Sequence, residues 1–154
     1  MAIRNIIETD YKSLASLMKS FFSVHNQFQK PDNLVIKYLK EQAKLNELIV
    51  YDYKGAINGA LYLVTLHTTL DRTHTLWKFR HFAFDSEDIG KNLLDHAEKI
   101  VKKSSRTSKI ELTIAETEPG MNFYKSNGYE VEGMLSNHYR WGENTYILSK
   151  SFLK

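Results

Sequence analysis

The fold is predicted most directly by residues 76–104, which read LWKFRHFAFDSEDIGKNLLDHAEKIVKKS. The opening segment, Leu76–Phe84, is rich in aromatic side chains and predicts a strand. From Ile89 onward the apolar residues recur at a spacing of about 3.6 residues, which is typical of a helix that buries one face. A strand that enters the N-terminus of a packed helix directs several free backbone N–H groups at one place. Such a place attracts phosphate.

The length and composition of the chain limit the classes of protein to which it can belong. The chain has 154 residues, enough for a hydrophobic core, and we expect a single domain over residues 1–154. The net charge is only +3 and the basic residues are scattered, which does not favour nucleic-acid binding. Cysteine is absent, and the six histidines show no HxxxH spacing, so no metal site is predicted. Apolar runs stay below the roughly 18 residues of a membrane span, and the N-terminus lacks a signal-peptide core. We therefore expect a soluble, cytoplasmic protein without a membrane partner.

The segment before residue 76 predicts helices followed by a hairpin. Thr9 or Asp10 is suited to cap the first helix, because a short oxygen-bearing side chain accepts bonds from unpaired N–H groups. Lys54-Gly55 joins two strands in a turn. The predicted elements are a strand near Ile3–Ile7, helices from Asp10 to Phe22 and from Pro31 to about Asn46, and strands Leu48–Tyr53 and Ala56–His67.

The segment after the long helix alternates strands with one short helix. In Lys109–Ala115 every second residue is apolar, which predicts a strand joined to Leu76–Phe84 by a right-handed parallel crossover. Gly128 is a natural C-terminal stop for a helix that opens at Pro119. The later elements are the helix Gly120–Ser126 and the strands Tyr129–Leu135 and Thr145–Phe152. The order β-α-α-β-β-β-α-β-α-β-β indicates an α/β fold with a mixed sheet.

This order of elements, together with NFYKSNGYEVEG at Asn122–Gly133, resembles the GNAT acyltransferase family. In that family a short helix ends in an aromatic pair, here Phe123-Tyr124, and Gly-Tyr or Gly-Phe follows about four residues later, here Gly128-Tyr129. The segment Ile89–Lys99 resembles the acetyl-CoA-binding helix, and the final strands resemble the closing hairpin. The resemblance implies a GNAT-like fold and an enzyme that transfers an acetyl group from acetyl-CoA to a primary amine of a small molecule or peptide.

The resemblance also implies where acetyl-CoA binds. The pantetheine arm bonds the backbone of the fourth strand, and the pyrophosphate lies at the N-terminus of the third helix. Carried onto this sequence, the cofactor-binding residues are Phe82, Ala83, Phe84, Asp88, Ile89, Gly90, Lys91 and Asn92. A glycine such as Gly90 is used there because a backbone approaches phosphate closely only without a side chain.

One departure from the family pattern concerns the turn Asp85–Asp88. Asp85 stands where the family has Gln or Arg, Asp88 stands where it has glycine, and the connection is short. Carboxylates repel phosphate, and Asp85 or Ser86 is suited to cap the helix from within the chain. Two outcomes stay open: the turn binds acyl-CoA, or its own anions occupy the amides. In the second case the chain is a catalytically degenerate binding or interaction module.

For the chemistry, the resemblance implies that Tyr124 protonates the leaving thiolate. The base that takes the amine proton is open between three residues and a chain of water molecules. Glu116 and Glu118 follow the fifth strand, and His81 carries an imidazole, which titrates near neutral pH. An aromatic acceptor pocket is expected near Phe28, His138, Tyr139 and Trp141. The exposed aromatics of the last hairpin also suit the interface of a homodimer, the third hypothesis.

Overall fold

The structure, a computed structural model, describes residues 1–23 and 26–154. Within that part of the chain the elements follow the predicted order, with short 3-10 segments before α1 and α2. The helices are α1 (Tyr11–Phe21), α2 (Asp32–Leu45), α3 (Glu87–Ser104) and α4 (Met121–Ser126). The strands are β1 (Ala2–Asn5), β2 (Glu47–Tyr53), β3 (Ala56–Thr68), β4 (His74–Phe84), β5 (Thr107–Ala115), β6 (Glu130–Ser136) and β7 (Asn144–Leu153).

The strands form a seven-stranded sheet in the order β1-β2-β3-β4-β5-β7-β6. β4 and β5 pair in parallel, whereas β1–β2, β2–β3, β5–β7 and β6–β7 are antiparallel. The predicted α/β fold with a mixed sheet is thereby confirmed. The parallel register runs from His74↔Thr107 to Lys78↔Glu111, and both strands continue beyond it. None of the described helices is long and apolar enough to cross a membrane.

The chain divides into two compact units. Unit 1 comprises Met1–Val64 and Arg80–Glu98, and unit 2 comprises Thr65–Phe79 and Lys99–Lys154. The expectation of one domain over residues 1–154 stays a prediction.

Unit 1 has a core in which α1 and α2 pack against β2 and β3. The fully buried side chains there include Leu14, Met18, Phe28, Leu39 and Tyr62. Burying each such side chain contributes roughly 1.5–3 kcal/mol. Leu14 and Met18, one turn apart on α1, therefore lie on one buried face of the helix.

α1 begins at Tyr11, so Asp10 stands at the N-cap position as expected, but its side chain does not make the expected cap. Its side chain accepts no bond from the first turn of α1. Instead the carboxylate accepts two bonds from Arg4, at 2.7 and 3.0 Å, and one from the backbone N–H of Ile7 at 2.9 Å. The reason is charge, because a bidentate guanidinium is a stronger partner for a buried carboxylate than a neutral amide.

Unit 2 is built on the β5–β7 pair. Ile110, Leu112 and Ile114 are buried, as their alternation along β5 predicts. The short helix α4 ends as predicted, since Gly128 takes φ +87°, the left-handed conformation that closes a helix. The amide of Tyr129 then donates to the carbonyl of Tyr124 at 3.0 Å. This closure fixes Tyr124 on the last turn before the stop.

Candidate active site

The turn between β4 and α3, in unit 1, is capped by Ser86. Its hydroxyl accepts from the amide of Ile89 at 3.4 Å, and its carbonyl accepts from the amide of Gly90 at 3.0 Å. Because Ser86 supplies these groups, α3 begins at Glu87 and not at Ile89 as predicted. Asp85 is engaged elsewhere: its carboxylate accepts from the side-chain amide of Asn58 at 2.7 Å.

The carboxylates of the turn do not occupy the amides that open α3. The side chains of Glu87 and Asp88 are exposed. Across the described residues, no carboxylate accepts a bond from the amides of residues 87–90, and the Ser86 contact is long for a hydrogen bond. One of the two expected outcomes was that a carboxylate of the chain accepts from these amides. The structure has the neutral hydroxyl of Ser86 there instead. The positive end of the α3 dipole is therefore not neutralised by a bonded carboxylate.

Gly90 is explained by packing between α3 and β4. A Cβ atom at this position would lie 2.9 Å from two carbons of the Phe84 ring. The ring is held in turn by Phe21 and Phe82, with centroids 5.0 and 5.3 Å away. Because Gly90 has no side chain, α3 can pack closely against the ring of Phe84 on β4. A role for Gly90 in approaching phosphate stays a prediction.

Replacing Gly90 with alanine is expected to destabilise unit 1. The forced displacement of Phe84 costs about 1–3 kcal/mol, whereas alanine regains only about 1 kcal/mol of helix propensity. Thermal unfolding measures the difference. Gly133→Ala is the matched control, because its added Cβ would meet Ile147 at an ordinary 3.6 Å. A Gly90→Ala protein as stable as the control would contradict this packing argument.

The remaining predicted cofactor residues also lie in unit 1, on β4 and the first turns of α3. Phe82 and Ala83 are buried, so only their backbone is suited to contact a ligand. Lys91 forms an ion pair with Asp95 one turn along, and the side-chain amide of Asn92 donates to the carbonyl of Asp88 at 3.0 Å. Ile89 is half-buried, its Cγ2 2.6 Å from where a Cβ on Gly59 would lie. Their assignment to acetyl-CoA stays a prediction.

His81 lies in β4 with an unusual backbone. Its φ is +50°, the left-handed region, which costs a non-glycine residue on the order of 1–2 kcal/mol. Its Nε2 atom is 2.7 Å from the hydroxyl of Tyr38 on α2. Sequence patterns gave no reason to single out Tyr38, because its position on α2 reads as an ordinary half-buried helix site.

Tyr124 is buried in unit 2, on α4. Its amide donates to the carbonyl of Gly120 at 3.0 Å, and its ring packs against Tyr129 with centroids 5.6 Å apart. Burial raises the pKa of the phenol, and the nearby Glu118 carboxylate raises it further. Tyr124 is therefore a neutral hydroxyl at physiological pH, able to donate a proton or a hydrogen bond.

The carboxylates that follow β5 differ in their surroundings. Glu116 accepts from the backbone amide of Asn144 at 3.1 Å, which ties β5 to β7. Burial raises the pKa of Glu118. Glu143, which the sequence did not single out, is buried and accepts from Arg140 at 2.6 and 2.7 Å and from Thr117 at 2.6 Å. Those bonds lower its pKa. The raised pKa makes Glu118, one of the candidate bases, a better proton acceptor than an ordinary glutamate.

The residues of the predicted acceptor pocket fall into both units. Phe28 is fully buried in the core of unit 1. In unit 2 the hydroxyl of Tyr139 lies 2.6 Å from that of Thr113, and its ring contacts His138. Trp141 is 92% exposed. An acceptor pocket and a homodimer through this hairpin both stay predictions. Among the described residues, no group of three or more His, Asp or Glu side chains is placed to hold a metal ion.

A family model described as "Acetyltransferase (GNAT) domain" matches residues 3–147. The chain therefore belongs to the GNAT acetyltransferase family, and it is an acyltransferase of that class. The predicted family is confirmed. No curated protein matches the sequence.

Solved structures resemble this chain along almost its whole length. An aminoglycoside 6'-N-acetyltransferase complexed with coenzyme A has a TM-score of 0.78 at 14% identity, covering 100% of this chain and 98% of the other. Arabidopsis thaliana Naa50, in complex with the bisubstrate analogue CoA-Ac-MVNAL, has a TM-score of 0.74 at 20% identity, covering 98% of each chain. A ribosomal-protein-alanine N-acetyltransferase from Brucella melitensis has a TM-score of 0.71 at 14% identity, with 99% and 100% covered. At these identities the likeness concerns the fold.

Proposed function

We propose that this protein transfers an acetyl group from acetyl-CoA to a primary amine. The observation that carries the proposal is the opening of α3, where the neutral hydroxyl of Ser86, and no carboxylate of the described residues, accepts from the amide of Ile89. Family membership supports the same reaction. So do two structures of the same fold, one complexed with coenzyme A and one with a CoA-peptide analogue.

The proposal gives each group one task. The residues at the start of α3, from Asp88 to Asn92, bind the pyrophosphate, which bonds the amides of the first turn that have no intrahelical partner, and the backbone of Phe82–Phe84 bonds the pantetheine arm. The exposed carboxylates of Glu87 and Asp88 weaken this binding only moderately, because the high dielectric of water reduces the repulsion between exposed charges to about 1 kcal/mol at ~4 Å. Tyr124 protonates the thiolate that leaves. Glu116, Glu118 or His81 takes the proton from the amine.

Catalysis in this scheme comes mainly from positioning. The amine nitrogen attacks the thioester carbonyl carbon, a new C–N bond forms, and the C–S bond breaks with its electron pair remaining on sulfur. Holding both reactants in line removes much of the entropic barrier, and the two proton transfers add to that. The acceptor is a small amine or the amine of a peptide, as the aminoglycoside and peptide enzymes of the same fold suggest.

Titration with coenzyme A tests the proposal directly. Ligand at a hundred times its Kd stabilises the folded state by about 2.7 kcal/mol, which raises Tm by several degrees in a chain of this length. Release of free thiol from acetyl-CoA is then measured with an aminoglycoside and with the peptide Met-Val-Asn-Ala-Leu as acceptors. Absence of any Tm shift at millimolar coenzyme A would support the catalytically degenerate module instead.

A further inference from the structure

The backbone of His81 differs from that of the other strained residues. Four non-glycine residues in the described chain have positive φ, and Lys54, Arg72 and Asn137 lie in turns or bends. His81 lies within β4, where neighbouring residues are extended. A residue keeps such a conformation only when its surroundings over-determine it, and such positions cluster at functional sites.

The surroundings of His81 are aromatic. Four rings stand roughly perpendicular to the imidazole, at interplanar angles from 66° to 85°. They belong to Phe28 (centroid distance 4.9 Å), Tyr38 (5.6 Å), Tyr62 (6.0 Å) and Phe22 (6.1 Å). These contacts hold the ring in one orientation, with Nε2 2.7 Å from the hydroxyl of Tyr38.

The titratable and charged groups around His81 come from three elements. Tyr38 lies on α2, and burial raises its pKa. Tyr62 lies on β3, and its hydroxyl donates to the carbonyl of Leu39 at 2.8 Å. Arg80 precedes His81 on β4 and donates to the side chain of Gln42 at 3.0 Å. The α1 end and the segment Asn26–Gln29 contribute the apolar rings of Phe22 and Phe28. Tyr38 is therefore the phenol that bonds the imidazole.

We propose that Tyr38 and His81 together accept the proton of the amine, with the phenol of Tyr38 contacting the amine and His81 receiving the proton. This proposal rests on the proposed acetyl transfer and selects one of its three candidate bases. It adds Tyr38, a residue that family patterns in the sequence did not indicate.

The proton transfers balance within one turnover. As the amine nitrogen bonds the carbonyl carbon, its proton passes to the Tyr38 oxygen while the phenolic proton passes to Nε2 of His81. The C–S bond breaks and the thiolate takes a proton from Tyr124. The imidazolium then returns its proton to water, and Tyr124 regains one from water. The products are the N-acetyl amine and coenzyme A.

Tyr38 and His81 together can accept the proton of the amine, which neither side chain does alone in this arrangement. A half-buried phenol that stays protonated is no base by itself, and it accepts a proton only while it gives one up. An imidazole ordinarily titrates near neutral pH and can take that proton. The 2.7 Å contact places Nε2 of His81 within reach of the phenolic proton of Tyr38.

Kinetics of Tyr38→Phe and His81→Gln test the pair. Glutamine keeps a hydrogen-bond acceptor for Tyr38 but does not take up a proton. The assay uses acetyl-CoA with whichever probe, the aminoglycoside or Met-Val-Asn-Ala-Leu, the wild type acetylates. We expect kcat to fall at least about 100-fold in each variant, with KM for acetyl-CoA nearly unchanged. The acid limb of the kcat–pH profile, where imidazole is protonated, should vanish in His81→Gln.

Two further variants separate chemistry from folding. Tyr62→Phe removes the neighbouring phenol, whose bond goes to a backbone carbonyl, and should keep the kcat and pH profile of the wild type. His81→Asn removes the imidazole with a residue that tolerates the left-handed backbone, and it should fold yet lose activity like His81→Gln. Wild-type kcat and an intact acid limb in Tyr38→Phe or His81→Gln would overturn the proposal, as would an equal loss in Tyr62→Phe. A wild type without coenzyme A binding or transfer would overturn the proposed function itself.

Discussion

Tyr124→Phe is expected to lower kcat at least tenfold while the Kd for coenzyme A changes little. General acid catalysis contributes typically about 10²–10⁴-fold, and part of that is retained because water can protonate a thiolate slowly. The substitution removes one hydroxyl and leaves the ring packed against Tyr129. Its effect therefore falls on the step in which the C–S bond breaks and not on the binding of the cofactor.

The pH dependence of Tyr124 gives a second expectation. Burial and the Glu118 carboxylate both raise the pKa of this phenol. It is protonated throughout the neutral and mildly alkaline range, so ionisation of Tyr124 should produce no basic limb in the kcat–pH profile there. Because the phenol stays protonated until the C–S bond breaks, it stabilises the charge that develops on sulfur before it gives up its proton.

The matched control for Tyr124→Phe is Tyr129→Phe. Both rings are buried in unit 2, and each substitution removes one hydroxyl from the same aromatic cluster. Single-turnover release of thiol from acetyl-CoA, followed with coenzyme A titrations of both variants, measures rate and affinity separately. An unchanged rate in Tyr124→Phe, or an equal loss in Tyr129→Phe, would remove Tyr124 from the chemistry.

The elements of the fold could be predicted because each carries a local signal. The apolar stripe from Ile89 to Val101 predicted α3, alternation predicted β5, and Gly128 predicted the end of α4. Helix starts were predicted less well. Asp10 fits the pattern of a cap as well as Ser86 does, and only its contact with Arg4 on β1 decides that its carboxylate turns away from α1. The sequence pattern of a helix cap does not include a partner on the preceding strand.

The candidate site could be predicted only where the family motif marks it. Tyr124 follows from its place before Gly128. The contact between Tyr38 and His81 joins residues 43 positions apart. The left-handed backbone at His81 could not be predicted either, because position 81 holds neither glycine nor asparagine. Gly90 matched a motif position, yet the structure gives it a packing task against Phe84. A family motif marks which positions matter, and only the contacts in the structure show what each residue does there.

Arg4, Asp10 and Asp52 form a partly buried charged cluster in unit 1, in which both carboxylates accept bonds from Arg4. Arg4 on β1 donates to both carboxylate oxygens of Asp10 and, at 2.8 Å, to Asp52 on β2. Asp10 is only 6% exposed, whereas Arg4 is 28% exposed. The arrangement leaves the buried carboxylate dependent on a cation that partly faces water.

Arg4→Met is expected to destabilise the folded state by about 2–3 kcal/mol at neutral pH. Breaking a buried pair by removing one partner costs about 3–5 kcal/mol, and the partial exposure of Arg4 lowers that figure. Urea-induced unfolding measures the loss. Lys19→Met is the matched control, because it removes a cation whose partner, Asp32, is 66% exposed. We expect that control to lose less than about 1 kcal/mol.

The same cluster predicts how the loss depends on pH. The bonds from Arg4 lower the pKa of Asp10 below its ordinary 3.8, so the carboxylate stabilises the folded state above that pH and ceases to as pH falls through its folded-state pKa. In Arg4→Met the buried carboxylate lacks its cation, and desolvation then favours the protonated form. The stability gap between wild type and variant should therefore be full at pH 7 and start to shrink above pH 3.8, where the buried Asp10 of the variant takes up a proton. It should shrink further below pH 3.8, as the wild-type carboxylate is protonated. A gap that stays constant down to pH 3 would mean that Arg4 acts through packing of its aliphatic stem and not through charge.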